Sequence, residues 1–209
     1  MRTLVEVECG VGRTGTMHAC EQEEIAPDIQ IIAKGLGGRY QPIGGILIHD
    51  RIVQALAEGS GGFLHGQTYQ AHPVACAAAL EVQRIIREDN LLANVQVMGK
   101  RLEAALTERF GNHRYVGDVR GRGLFWAIEL VNDRAAKTPF DPTLKMNERV
   151  KQEAFKRGLS GYPMGGTIDG KLGDHYIIAP PYIVTATEID TIVERLGHAA
   201  AAAVAVCSG

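Results

Sequence analysis

Lys34 is the residue whose type and position most favour covalent chemistry. It follows an apolar run at residues 29–33 and precedes a glycine-rich segment at residues 35–38. A lysine at the end of a buried strand is partly withdrawn from water, and desolvation favours the neutral, nucleophilic amine. Such an amine can form an imine with an aldehyde. The position alone leaves a second interpretation open, in which Lys34 simply ends the strand and points into solvent.

A second candidate segment, residues 63–73, is rich in hydrogen-bond donors and ends where an alanine-rich stretch begins. Backbone N–H groups and the positive end of the helix dipole attract phosphate at a helix N-terminus. Thr68 is therefore a candidate phosphate ligand. If the segment is considered alone, an ordinary polar helix cap is the simpler interpretation.

A glycine pattern near the amino terminus offers an alternative cofactor. Gly10, Gly12 and Gly15 match G-x-G-x-x-G, which binds dinucleotides when it joins a strand to a helix. A strand is predicted before the pattern, but residues 16–26 give only a turn or two before Pro27. A nucleotide-binding enzyme is therefore the weaker hypothesis.

Cys9, His18 and Cys20 carry donor atoms of the kind that bind soft metals. A tetrahedral site needs four ligands, and no fourth lies near these three in the sequence. We interpret them as core or loop residues and predict no metal site.

Composition limits the classes of partner. Lys and Arg number 22 against 24 Asp and Glu, a net charge of -2, so we expect no binding of nucleic acid or of an anionic membrane. The apolar tail at residues 199–206 is much shorter than the ~20 residues of a membrane span. The four cysteines are widely spaced and no signal peptide is recognised, so the predicted location is a reducing cytoplasm.

Two sets of secondary structure elements are predicted to position these residues, with a domain boundary near residues 111–116. In the first set, apolar runs predict three strands and helical spacing predicts two consecutive helices. In the second set, two strands surround a glycine turn, and a capping box of Thr185 and Glu188 begins the last helix. The predicted strands are residues 3–8, 28–33, 44–48, 115–120, 124–130 and 175–179, and the predicted helices are residues 71–87, 91–106, 143–157 and the segment after Thr185.

Taken in order, several motifs resemble the class III aminotransferases, which are fold-type I enzymes that use pyridoxal 5′-phosphate. The resemblance covers nearly the whole chain and corresponds to the second half of the family's chain. The matching segments are residues 6–10 (EVECG), 12–15 (GRTG), 27–28 (PD), 33–35 (AKG), 41–44 (QPIG), 65–69 (HGQTY), 72–73 (HP), 120–124 (RGRGL) and 179–181 (APP).

The resemblance implies an α/β fold with two parts. Residues 1–111 would be the C-terminal part of the large domain that binds pyridoxal phosphate, and residues 112–209 would form a small C-terminal α/β domain. The implied reaction moves an amino group between an amine or amino acid and a 2-oxo acid.

The resemblance also implies a role for each candidate site residue. Lys34 would carry the cofactor as a Schiff base and then act as the general base that moves a proton between substrate and cofactor. Val7 would pack on the pyridine ring, and Glu8 would lie beside the phenolic oxygen. Thr68 would reach the cofactor phosphate of the neighbouring subunit in a homodimer.

Several positions depart from the family pattern. Val5 stands where the family has the aspartate that pairs with the pyridine nitrogen, and an apolar side chain there weakens the ring's uptake of electrons. Glu8 replaces a glutamine, and Ile177 stands where several members have an arginine that clamps the substrate carboxylate. The phosphate cup in the family's first half has no counterpart in these 209 residues. We therefore expect slow turnover by the chain alone, and the alternative is a non-catalytic truncated paralogue or subunit partner that retains the dimer surface.

Overall fold

The computed structural model describes residues 1–205, which divide between Ala93 and Asn94 into two compact units. Val206 of the apolar tail and Cys207 of the cysteine set lie outside the described residues. Each unit has its own sheet. Within residues 1–205, no helix combines the length and the apolarity needed to cross a bilayer.

The sheet of the first unit has three strands in the order β1 (Thr3–Glu6), β2 (Ile29–Ile32) and β3 (Gly45–Ile48). β-Branched residues suit such a pleated surface, and each strand lies within a segment predicted from its apolar run. β1 and β2 are parallel, whereas β3 is antiparallel to β2. Parallel pairing brings the carboxyl ends of β1 and β2 to one edge of the sheet, which is where ligands bind in open α/β folds.

Two helices and the start of a third complete the first unit. α1 (Asp50–Glu58) begins after His49, whose Nδ1 accepts a hydrogen bond from the backbone N–H of Arg51 at 3.2 Å. α2 (Pro73–Glu88) has proline at its first position, where the fixed φ suits a helix and the missing N–H costs no hydrogen bond. α2 agrees with the predicted helix at residues 71–87. α1 is not among the helices predicted from the sequence, and none of its residues is buried.

The second unit combines three helices with a four-stranded antiparallel sheet whose spatial order is β4-β5-β7-β6. One face of the sheet, including Trp126, Ile128 and Tyr176, lies in a single apolar core together with residues of all three helices. The elements are α3 (Leu91–Phe110), β4 (Val116–Arg122), β5 (Phe125–Leu130), α4 (Met146–Lys156), β6 (Tyr162–Gly165), β7 (Asp174–Ile178) and α5 (Ala186–Ala205).

α5 begins at the predicted capping box. The Thr185 backbone N–H donates to Glu188 Oε2 at 2.8 Å, and the Glu188 backbone N–H donates to Thr185 Oγ1 at 3.4 Å. These bonds satisfy N–H groups that have no partner inside the helix. Ile189, Val193 and Leu196 then face the core, as helical spacing predicts.

α3 determines where the two units divide. Val95 and Leu106 on its apolar face are fully buried in the core of the second unit. At Gly99 the helix lies so close to the chain that a Cβ atom would be 2.7 Å from the carbonyl oxygen of Gly123. The division therefore falls ahead of the boundary expected near residues 111–116, which rested on the change of pattern after the helix. The assignment of the family's two domains to the two sides of that boundary stays a prediction.

Candidate active site

Lys34 lies at the carboxyl end of β2, at the first position of a short 3₁₀ turn, Lys34–Gly37. Its backbone φ of 43° is in the left-handed region, which costs a residue with a side chain about 1–3 kcal/mol and persists only where the surrounding structure fixes it. The side chain is 46% exposed. The side chain is therefore half withdrawn from water and half open to small molecules, so each interpretation of the sequence describes part of its environment.

The turn that carries Lys34 is held by α2 and by close packing. Gln83 Nε2 on α2 donates to the carbonyl oxygen of Leu36 at 3.2 Å. At Gly37 a Cβ atom would lie 2.7 Å from Ile43 Cγ2, so a larger residue would force a shift. These contacts explain how the left-handed conformation at Lys34 is sustained.

Val7 and Glu8 follow the carboxyl end of β1 at the same edge of the sheet. Lys34 Nζ forms an ion pair with Glu8 Oε1, and the Glu8 side chain is 49% exposed. Val7 is half-buried and directly precedes Glu8. The carboxyl ends of these two parallel strands therefore carry a paired amine and carboxylate next to an apolar side chain.

Val5 and Glu6 point to opposite faces of β1, as alternation along a strand requires. Glu6 is only 4% exposed, whereas Val5 is 65% exposed. Val5 is in register with Ile31, which is in register with Ile46, so an apolar row crosses this face of the sheet. Glu6 therefore cannot take the place of an aspartate at position 5.

Glu6 has a structural role that the sequence alone does not reveal. Its carboxylate accepts hydrogen bonds from the backbone N–H of Ala19 at 2.8 Å and of Cys20 at 2.7 Å. Both N–H groups belong to the 3₁₀ turn Ala19–Glu23. An acidic residue inside an apolar strand is the signal in the sequence, but its partners lie 13 and 14 positions away and no local pattern identifies them. Glu6 thereby anchors the far end of the loop that starts with Val7.

Glu6→Gln is expected to loosen this turn. The glutamine amide has one acceptor oxygen, so one of the two backbone N–H groups would face a second donor. Losing a hydrogen bond to a charged group and leaving a buried donor unsatisfied costs about 2–3 kcal/mol. Because 1.4 kcal/mol is about a factor of ten, hydrogen exchange at the amides of Ala19 and Cys20 should become about 30- to 150-fold faster.

The matched control is Glu24→Gln, at an exposed carboxylate just beyond the same turn. Its exchange rates should equal those of the wild type within about twofold, because surface substitutions change stability little. Unchanged exchange at Ala19 and Cys20 in Glu6→Gln would show that the two hydrogen bonds do not hold the turn.

His18 and Cys20, weighed above as metal donors, contact Gln30 on β2. Gln30 is 5% exposed, and its Nε2 lies 3.0 Å from His18 Nδ1 and 3.9 Å from Cys20 Sγ. Burial raises the pKa of the Cys20 thiol, and a hydrogen bond with Glu6 raises it further by a smaller amount. The thiol therefore stays protonated. Within residues 1–205, no group of three or more His, Cys, Asp or Glu side chains is arranged to hold a metal ion.

The glycine pattern at residues 10–15 does not lead into a helix. Gly12 and Gly15 have φ values of 93° and 102°, which favour glycine, and the chain then enters only the short turn Ala19–Glu23. This segment therefore lacks the helix N-terminus that dinucleotide binding requires.

Thr68 lies in the exposed segment between α1 and α2. α2 begins at Pro73, so this segment precedes a helix as the sequence indicates. In the described part of the chain, no hydrogen bond joins Thr68 to Lys34 or Glu8. The role of Thr68 toward a neighbouring subunit stays a prediction.

Comparison with known families decides the class of protein. The family model of class-III aminotransferases matches residues 4–200. The chain belongs to the class III aminotransferases. This aminotransferase chain is similar to an uncharacterized aminotransferase of Schizosaccharomyces pombe, at 49% identity over 202 residues, which cover 97% of this chain and 44% of that protein. The chain thus spans less than half the length of that relative.

Solved structures confirm the predicted α/β fold of a transaminase. A transaminase from the marine bacterium Virgibacillus superposes with a TM-score of 0.90 at 34% identity, covering 98% of this aminotransferase chain and 46% of that one. The PMP-bound form of an aminotransferase from Vibrio fluvialis superposes with a TM-score of 0.87 at 31% identity, covering 97% and 44%. Pyridoxal phosphate is the cofactor of the family, as the motifs indicate.

Proposed function

We propose that this chain provides the cofactor-linking lysine of an aminotransferase that moves an amino group between an amine or amino acid and a 2-oxo acid. The proposal depends most on Lys34, whose half-exposed amine lies at the carboxyl edge of β1 and β2 in a left-handed turn. Family membership supplies the reaction class. Because the chain spans 44% of its Schizosaccharomyces pombe relative, the activity of the whole protein is part of the proposal.

The residues at this edge fit pyridoxal phosphate by their chemistry, since a primary amine can bond to an aldehyde carbon and an apolar side chain suits an aromatic ring. The cofactor, when bound, supplies that aldehyde and a ring that takes up electrons. Lys34 would hold it covalently, and would later take a proton from the substrate carbon and return it. Val7 would pack against the ring, and Glu8 would lie beside the phenolic oxygen.

The proposed assembly is a symmetric homodimer in the cytoplasm. Thr68 of one protomer would reach the cofactor phosphate held by the other. In support, Leu64 and Tyr69, which lie in the same segment as Thr68, are 91% and 81% exposed, and large exposed apolar side chains are typical of interfaces. Residues 112–209 are proposed to be the small C-terminal domain.

A second candidate function is that of a non-catalytic subunit partner. It is favoured by Val5, whose apolar side chain stands where the family resemblance puts an aspartate. A protein with this function would retain the dimer surface and would not link pyridoxal phosphate to Lys34.

Borohydride reduction distinguishes the two functions. The purified protein is incubated with pyridoxal phosphate, reduced, digested and mapped by mass spectrometry. We expect label at Lys34 alone, because the turn Lys34–Gly37 fixes its position beside Val7 at the carboxyl ends of β1 and β2. Lys34→Arg should remove the label and leave the far-ultraviolet circular dichroism spectrum unchanged.

Lys100 on α3 and Lys151 on α4 are internal controls, since both are exposed on helices of the second unit. Label spread evenly over the surface lysines, or concentrated at either control, would contradict the assignment of Lys34. Absence of any label after reduction would favour the non-catalytic partner.

A further inference from the structure

Glu8 and Lys34 come from different strand ends and meet in an ion pair. Glu8 follows β1, Lys34 follows β2, and the two side chains are 49% and 46% exposed. At this exposure the pair does not compensate a buried charge, and exposed pairs contribute little to folding stability. Its main effect is therefore on the availability of the amine itself.

The fixed backbone around Lys34 limits how far Nζ can move from the Glu8 carboxylate. The turn Lys34–Gly37 is fixed by the contact between Gln83 and Leu36 and by the close approach of Gly37 to Ile43. The pair therefore opens by rotations of the two side chains rather than by movement of the turn.

We infer that Glu8 holds Lys34 in an ion pair and so slows the rate at which Lys34 links to an aldehyde. The inference rests on the proposed function of Lys34. It identifies Glu8 as a positioning residue that restrains the reactive amine.

The linking reaction shows why the ion pair must open. The Lys34 ammonium first releases a proton to water, and the neutral nitrogen then attacks the aldehyde carbon. A carbon–nitrogen double bond forms, and the aldehyde oxygen leaves as water, so the step needs no oxidant or reductant. The Glu8 carboxylate opposes the attack, because its contact with Nζ must break before the nitrogen can approach the aldehyde carbon.

The test measures the rate of link formation with pyridoxal, which lacks the phosphate, so that added salt does not act on a phosphate contact. Samples are quenched with borohydride at intervals, and the labelled Lys34 peptide is quantified by mass spectrometry. At low salt, Glu8→Gln should label about two- to fivefold faster than the wild type, which is the range for loss of an exposed pair. At about 1 M salt, where screening acts within ~3 Å, the wild type should approach the rate of Glu8→Gln.

The control variant is Glu88→Gln, which removes an exposed ion pair with Arg84 on α2. It should label at the wild-type rate at low and at high salt. Glu8→Ala should accelerate labelling in the same direction as Glu8→Gln, and it decides the outcome if Glu8→Gln alters the circular dichroism spectrum.

The possible results separate this inference from the function on which it rests. If Lys34 is labelled equally fast or more slowly in both Glu8 variants than in the wild type at low salt, Glu8 does not restrain the amine, although the assignment of Lys34 stands. If Lys34 is labelled in no variant, the proposed function itself is wrong.

Discussion

Lys34→Arg is expected to slow the conversion of pyridoxal phosphate and an amine into products about a hundred- to ten-thousandfold. Arginine keeps the positive charge and the length of the side chain, but its guanidinium remains protonated and cannot act as nucleophile or base. General base catalysis by a positioned side chain contributes a factor of this size. A single-turnover assay with excess pyridoxal phosphate and a panel of amines measures the rate.

The matched control is Lys100→Arg on α3, which should leave the rate unchanged. Addition of a small primary amine such as methylamine should restore part of the activity of Lys34→Arg, because it can act as a base in solution. Equal rates for Lys34→Arg and the wild type would place the catalytic amine at another lysine.

Val5→Asp is expected to raise the rate of the same reaction about a hundred- to a thousandfold. By the family resemblance, position 5 faces the pyridine nitrogen, where a carboxylate stabilises the positive charge that draws electrons into the ring. A fixed electrostatic contact of this kind is typically worth about 3–4 kcal/mol. Val5 is 65% exposed, so an aspartate at this position does not become a buried unpaired charge. We expect the wild type to turn over far below the ~10 per second of an ordinary enzyme.

Ile46→Asp is the matched control for Val5→Asp. Ile46 lies on the same face of the sheet, two strands away from Val5, and is 56% exposed. A carboxylate at position 46 changes the net charge equally but lies away from position 5, so the rate should not rise. Wild-type turnover at about 10 per second, or equal gains in both variants, would refute the role assigned to position 5.

Local patterns were sufficient to predict the strands that place Lys34 and, in the second unit, the start of α5. The apolar runs before Lys34 and near the amino terminus are confirmed as β2 and β1, and the capping box at Thr185 is confirmed as the start of α5. Each of these signals lies within a few consecutive residues, where backbone geometry alone sets the spacing of side chains. The family resemblance then supplied the cofactor, which no local pattern identifies.

Features that depend on distant contacts were not predictable in the same way. The Glu6 carboxylate contacts its partners only because the intervening loop folds back onto β1. The Glu8–Lys34 pair forms only because β1 and β2 are parallel neighbours. β6 (Tyr162–Gly165) contains a proline and a glycine and lies at the edge of its sheet, where such residues are tolerated, so its sequence lacks the usual strand signal.

The apolar row of Val5, Ile31 and Ile46, of which Val5 and Ile46 are exposed, affects whether the protein self-associates. β1 forms one edge of its sheet, and an edge strand with exposed apolar side chains is a template for adding a strand from another molecule. In concentrated solution, molecules of the chain should therefore tend to pair through their β1 strands. A charged residue at position 5 opposes such pairing, so Val5→Asp would increase the soluble fraction as well as the reaction rate. Rates must then be normalised to the amount of Lys34 that can be labelled, so that a gain in solubility is not counted as a gain in catalysis.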